Sequence, residues 1–208
     1  MANLIFTESK WRSQLPHWEV RGAWHFITIR CAGSLPKTAQ DRIREIRDQL
    51  EAIDPNSPDF SQLQRQYFLT AEKYLDAGSG FAPFTTPVLC RTTITAMQKT
   101  ETEGWHVGDG VLMPNHVHLL MRKKSDSGLD LKSAVQRMKG RSARSANIAL
   151  NRTGRFWQED WFDRWMRDES EYERTRSYIE NNPVKAHLCE NGKTYFGYFG
   201  NNTNETEA

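Results

Sequence analysis

Two strand-like runs, residues 104–113 and 116–122, meet at Pro114-Asn115, and this pairing constrains the fold more than any other feature of the chain. A connection that short returns the chain antiparallel, so the segment reads as a β-hairpin with a tight turn. The second run holds His116, Val117 and His118. Side chains at i and i+2 of a strand share a face, so both imidazoles project together. Val117, Leu119 and Leu120 are then expected to supply the opposite, buried face. Two adjacent imidazoles make a bidentate site for a divalent cation, although a bare His-x-His also occurs as plain decoration of a solvent-facing strand.

The remaining elements can be placed around this hairpin. Residues 24–30 read as the first strand, with Phe26 and Ile27 beside β-branched neighbours. Ile43, Ile46, Leu50 and Ile53 recur at three- and four-residue intervals, which predicts an amphipathic helix over 38–53. A second helix follows over 60–75 and a third from 86 or 87 to about 100. After the hairpin come a helix over 129–150, a short strand over 162–166, and a last helix starting near Asp168. That helix is expected to stop close to Asn182, because Pro183 disfavours helical geometry in the residue before it. The order gives an α+β sandwich, an antiparallel sheet with helices on one face. Residues 1–200 then form a single domain, with a helical insertion at about 37–86, and the polar segment 201–208 is a disordered tail.

Composition narrows the class. Hydrophobic residues make up 38% of the 208 and charged residues 26%, the balance of a soluble globular protein. Cys31, Cys90 and Cys189 lie far apart with no CxxC pair, which argues against a disulfide framework and a cysteine zinc site. Residues 1–14 lack the apolar core of a secretory signal, and no stretch approaches the ~20 apolar residues of a membrane span, so a cytoplasmic location without membrane contact is expected. The net charge of +2 neither demands nor excludes a nucleic-acid partner, but its distribution is uneven. Between residues 131 and 158 lie Lys132, Arg137, Lys139, Arg141, Arg144, Arg152 and Arg155 and no acid. Such a segment reads as a phosphate-tracking surface or, more plainly, a solvated helix face. Phe156, Trp157, Trp161 and Trp165 are interleaved with it; bases stack on such rings, yet at least two of the four should simply be buried. Trp11, Arg12, Trp18 and Arg21 form a weaker candidate contact, or a packing strand.

The string Leu112-Met-Pro-Asn-His-Val-His-Leu-Leu120 resembles the metal-binding strand of the HUH-class single-strand nucleases, in particular the insertion-sequence transposases and their REP-associated relatives. Val117 fills the slot that a bulky apolar residue takes between the family's histidines. Gly154-Arg-Phe-Trp-Gln158, Phe162-Asp-Arg164 and Tyr178-Ile-Glu-Asn-Asn-Pro-Val-Lys185 are similar to the REP-associated tyrosine transposases, whose nucleophile precedes an Asn-Pro pair. The matching position is Tyr178; Tyr172, nearly two turns earlier, is a rival without that context. Asn182 lies one turn after Tyr178 on the same helical face, where the family pattern has a polar metal ligand. A helix C-cap is the other reading of Asn182.

The resemblance covers about 111–188 and the strand at 24–30. It implies a ferredoxin-like (RRM-like) core with the histidine strand central and the tyrosine helix beside it. The implied activity is metal-dependent cleavage and rejoining of single-stranded DNA at hairpin-forming repeats, through a 5′-phosphotyrosine formed by Tyr178. Magnesium or manganese suits a site of His116, His118 and Asn182 completed by oxygen ligands. The protein would act as a monomer or a homodimer. Two other readings remain open: a non-catalytic nucleic-acid-binding module on the same sandwich, and a metal-dependent hydrolase that uses water.

Overall fold

The computed structural model describes residues 7–12, 15–54, 57–78 and 80–200. In chain order the elements are β1 (Thr7–Arg12), β2 (Pro16–Val20), β3 (Trp24–Arg30), α1 (Lys37–Ala52), α2 (Pro58–Asp76) and α3 (Pro87–Gln98). They continue with β4 (Trp105–Leu112), β5 (His116–Lys123), α4 (Leu131–Ala149), β6 (Phe162–Trp165), α5 (Glu169–Lys185) and β7 (Tyr198–Phe199). Five strands form one antiparallel sheet in the order β6-β3-β5-β4-β7. The succession β3-α3-β4-β5-α4-β6 is the βαββαβ pattern of ferredoxin-like folds. It makes the histidine strand β5 central.

Strand alternation decides what each face carries. Val117, Leu119 and Met121 of β5 join Ile27 and Ile29 of β3 in a core closed by α3 and α4, which bring Leu89, Met97, Val135 and Met138. Each fully buried aliphatic side chain there stabilises the sandwich by roughly 1.5–3 kcal/mol. The other face presents Phe26, Val111 and Leu120 to Ile179 of α5. Leu120 therefore shares the face of the histidines instead of lying opposite them, as a strict period of two requires. Besides the layer of α3 and α4, α5 and the inserted α2 cover this second face.

The insertion is a helical hairpin. Ile43, Ile46 and Leu50 are buried at the predicted spacing. Pro58 opens α2 at its first turn, and Ser57 caps it by accepting from the Asp59 N–H. The hairpin joins the sheet through a narrow neck, where the Phe81 N–H donates to the Gly33 carbonyl at 3.0 Å. Gly80 has φ +124° there, and a Cβ on it would lie 2.6 Å from that carbonyl oxygen.

Two features depart from the sequence expectation. Strands β1 and β2 pair with each other ahead of β3, and the two-residue β7 extends the sheet beside β4; all are too short to show a clear period. Helix α5 does not stop at Asn182 but runs through Pro183 to Lys185. Proline forfeits its own N–H bond. Here that loss falls in the last turn, where Pro183 and Asn182 are buried and Ala186 N donates to Asn182 O at 3.0 Å. His187, at φ +56°, then ends the run. The tail expected at 201–208 lies outside the described residues. Among the described residues, no helix is long and apolar enough to cross a membrane.

Candidate metal and tyrosine site

His116 and His118 project from β5 into the layer beneath α2 and α5, with 1% and 0% of their surface exposed. Their Nε2 atoms lie 2.9 Å apart. The Asn115 amide is oriented by donating Nδ2–H to the Leu75 carbonyl at 2.9 Å, which turns its Oδ1 toward His116 Nδ1 at 2.7 Å. An amide oxygen only accepts, so Nδ1 carries the proton and His116 Nε2 keeps a free lone pair. His118 Nδ1 pairs with Thr28 Oγ1 at 2.8 Å across the β3–β5 register. Because the Thr28 hydroxyl can give or take that hydrogen bond, His118 Nε2 stands either as a lone pair or as an N–H directed at Glu72. Two Nε2 atoms at that distance share a proton or a metal cation between them. Burial and the neighbouring His118 push the His116 pKa down to about 3, so this ring is neutral at physiological pH.

The third member comes from the insertion. Glu72 of α2 places Oε2 3.1 Å from His118 Nε2, and the same oxygen accepts a hydrogen bond from the Tyr178 hydroxyl. Burial favours the neutral acid, but the His118 ring beside it outweighs this and holds the Glu72 carboxyl at about 2. Its Oε1 is buried with no hydrogen-bond partner. One ligand atom each from Glu72, His116 and His118 lies within 4.8 Å of the others. A buried carboxylate with an orphan oxygen is costly by itself. Facing two imidazole nitrogens, it fits a divalent cation, and the residues present therefore suit the implied metal.

Tyr178 approaches from α5. Its ring lies 5.4 Å from that of His118, 5.9 Å from Phe68 and 6.0 Å from Phe26, centroid to centroid. Burial and the Glu72 carboxylate raise the Tyr178 pKa well above the ordinary phenol value, so the hydroxyl is protonated and donates to Glu72. Asn182 is 4% exposed and its side chain hydrogen-bonds Tyr178. It sits inside the helix rather than at the cap, which is Ala186. The helix is pinned to the sheet where Arg176 Nε meets Asp109 Oδ2 at 3.2 Å and the Tyr198 hydroxyl donates to Asp109 Oδ1 at 2.5 Å. Tyr172 instead packs on Trp24 at 5.5 Å, two positions along β3 from Phe26 and away from the histidines.

The basic segment lies elsewhere. Helix α4 covers the sheet face opposite the histidines, and several cations of the 131–158 segment are engaged. Arg141 pairs with Glu103 at 2.7 Å, Arg155 with Glu159 at 3.6 Å, and Arg152 lies over the Phe81 and Phe156 rings. Lys139 bonds the Glu159 carbonyl above the Trp161 ring, and burial lowers its pKa to about 8. Lys132, Arg137 and Arg144 are exposed and form no ion pair among the described residues. A stretch without acids thus still finds acids from neighbouring segments. Phe156, Trp157 and Trp161 are core residues, whereas Trp165 is partly exposed. Near the start, Trp11 stacks on His17, Trp18 meets the edge of Phe60, and Arg21 pairs with Glu8 at 2.8 Å. The Arg12 side chain is outside the described residues.

Residues 84–182, which carry both histidines and the tyrosine, match the family model described as "Transposase IS200 like". The match begins after α2 and so leaves Glu72 outside it. A solved structure described as "Structure of the REP associates tyrosine transposase bound to a REP hairpin" aligns with 91% of this chain and 81% of its own, at 16% identity and a TM-score of 0.49. No curated protein matches the sequence significantly.

Proposed function

We propose that this chain is a metal-dependent tyrosine transposase that cleaves and rejoins single-stranded DNA through a 5′-phosphotyrosine. The observation that carries this reading is the meeting of Tyr178, His116, His118 and Glu72 in one buried cluster, three of the four lying within the IS200-like stretch. His116, His118 and Glu72 would hold the ion, with the Asn182 amide beside them; magnesium or manganese fits this nitrogen and oxygen set. When bound, such an ion supplies charge stabilisation and orientation to a phosphate oxygen.

Tyr178 Oη is the nucleophile. Its bond to phosphorus forms as the bond from phosphorus to the 3′ oxygen breaks, and the departing oxygen takes up a proton to become a 3′ hydroxyl. A phenol is a weak nucleophile while protonated, and Glu72 Oε2 already accepts the hydrogen bond through which that proton leaves. Asn182 and the Phe26 and Phe68 rings fix the direction of the phenol. The phosphotyrosine bond keeps the energy of the broken phosphodiester until a 3′ hydroxyl attacks it, displaces the phenol and reseals the strand. The choice of hairpin-forming repeats as substrate follows from the likeness of residues 154–185 to the REP-associated branch.

The test uses labelled single-stranded hairpin oligonucleotides from the protein's own genomic flanks, with manganese or EDTA, on a denaturing protein gel. A shifted band that needs manganese and disappears in Tyr178→Phe and His116→Ala is the expected result. Cleavage without any adduct would instead indicate a hydrolase that uses water, and hairpin binding with neither cleavage nor adduct a binding module.

A further inference from the structure

Two open grooves of about 360 Å³ and 300 Å³ flank the outer edge of the sheet and share Gln64 and Arg164 as lining residues. The first lies between α2 and α5 and has Tyr178 in its wall. The second continues past β6 toward the N-terminal hairpin. Together they make one track that starts at the tyrosine and runs over edge strand β6. Five cations line it: Arg65 and Arg174 in the first groove, Arg164 at the junction, and Lys10 and Arg167 in the second. The acids lining it are already engaged, since Glu171 pairs with Arg164 and Asp163 with His17. Lys10, Arg65, Arg167 and Arg174 form no ion pair among the described residues.

Aromatic rings alternate with these charges. Phe68 and Phe162 line the tyrosine end, while Trp18 and Trp165 line the far end. Lys10 sits over the Trp18 ring at 5.3 Å and Arg167 over Trp165 at 5.9 Å. Leu69, 51% exposed, adds an apolar patch beside Arg65. Cations spaced along a groove and interleaved with accessible rings are what a single strand needs, because phosphates pair with the charges while bases stack on the rings. A duplex would hide those base faces.

We infer that this track binds the single-stranded nucleic acid that leads into Tyr178. The inference rests on the DNA-cleaving reading above and deepens it, assigning the strand-binding surface to α2, β6 and α5 instead of α4. Much of it, including Lys10, Trp18, Arg65, Phe68 and Leu69, lies outside the stretch that matches the transposase family. Differences at Lys10, Trp18, Arg65 and Leu69 would therefore alter which flanking nucleotides are accepted without touching the chemical cluster.

The experiment is fluorescence anisotropy of a labelled oligo-thymidine of about twenty nucleotides, in EDTA so that no cleavage intervenes, across a range of salt concentrations. Arg65→Glu/Arg174→Glu is compared with wild type, with Tyr178→Phe and with the rival surface variant Lys132→Glu/Arg137→Glu. All four positions changed to glutamate are on the surface, and circular dichroism with thermal unfolding confirms that each variant is folded. The track variant should bind at least about tenfold more weakly, with a salt slope shallower by about one. The α4 variant should stay within about twofold of wild type. Unchanged binding by the track variant, loss confined to the α4 variant, or no binding by wild type would each overturn the assignment. Loss of the tyrosine reading has a different signature, namely intact binding with no metal-dependent adduct in wild type.

Discussion

Glu72 shows how one side chain gains meaning only from its surroundings. It lies four residues after Phe68 and three before Leu75, on the stripe of α2 that faces the protein, where an acid is out of place. That misplacement is the signal a sequence reader could have used, but without knowing that α2 crosses the histidine strand it points to no partner. His116, His118 and Tyr178 were legible because each sits in a short distinctive string. Leu120 was misassigned because apolar character was weighed above strand parity. A metal held by the cluster should stabilise the fold by linkage, so millimolar manganese should raise the melting temperature of wild type by about 5 °C. The same ion should leave Glu72→Ala and His118→Ala unmoved in differential scanning fluorimetry. A full shift in Glu72→Ala would remove Glu72 from the ligand set.

The elements hold this cluster through a few junctions. One is the neck of the α1–α2 hairpin, where Gly80 passes within reach of the Gly33 carbonyl. Gly80→Ala meets both that backbone atom and a positive φ, so a loss of roughly 2 kcal/mol or more in urea unfolding is expected. Manganese response should weaken with it, because α2 carries Glu72. Another junction is His17 of β2, buried between Asp160 and Asp163. Burial opposes its charge, yet the two carboxylates raise its pKa to about 9. A raised histidine contributes stability that is complete below its unfolded value and is lost as pH rises through the folded one. Stability should therefore fall by an amount on the order of 3 kcal/mol between pH ~6.5 and ~9.5. His17→Gln should be weaker at the acid end and nearly flat over that window; a wild type already flat there would contradict the clamp. Hydrophobic period located α1 from sequence alone. The end of α5 was missed because the local penalty of Pro183 is smaller than the packing gained by one more turn.

At the scale of the molecule, the sheet separates two tasks. Its α3 and α4 face is a closed core, and its α2 and α5 face holds the histidine, glutamate and tyrosine cluster. The order of strands and helices was enough to suggest an antiparallel α+β sandwich, while its ferredoxin-like form followed from the family resemblance. It could not reveal that an unmatched insertion folds back over the histidines, because that contact depends on a neck and a side-chain cluster with no local signature. Charge counting could not show pairing for the same reason: residues 131–158 borrow Glu103 and Glu159, while the unpaired cations of the track come from four separate segments. The central claim is that the chain attacks DNA with Tyr178. The most direct measurement is mass spectrometry of peptides from protein incubated with manganese and a single-stranded hairpin substrate. A nucleotide adduct on the peptide containing Tyr178, absent in EDTA and in Tyr178→Phe, is the predicted result. An adduct mapped to Tyr172, or strand cleavage that leaves every tyrosine unmodified, would contradict it.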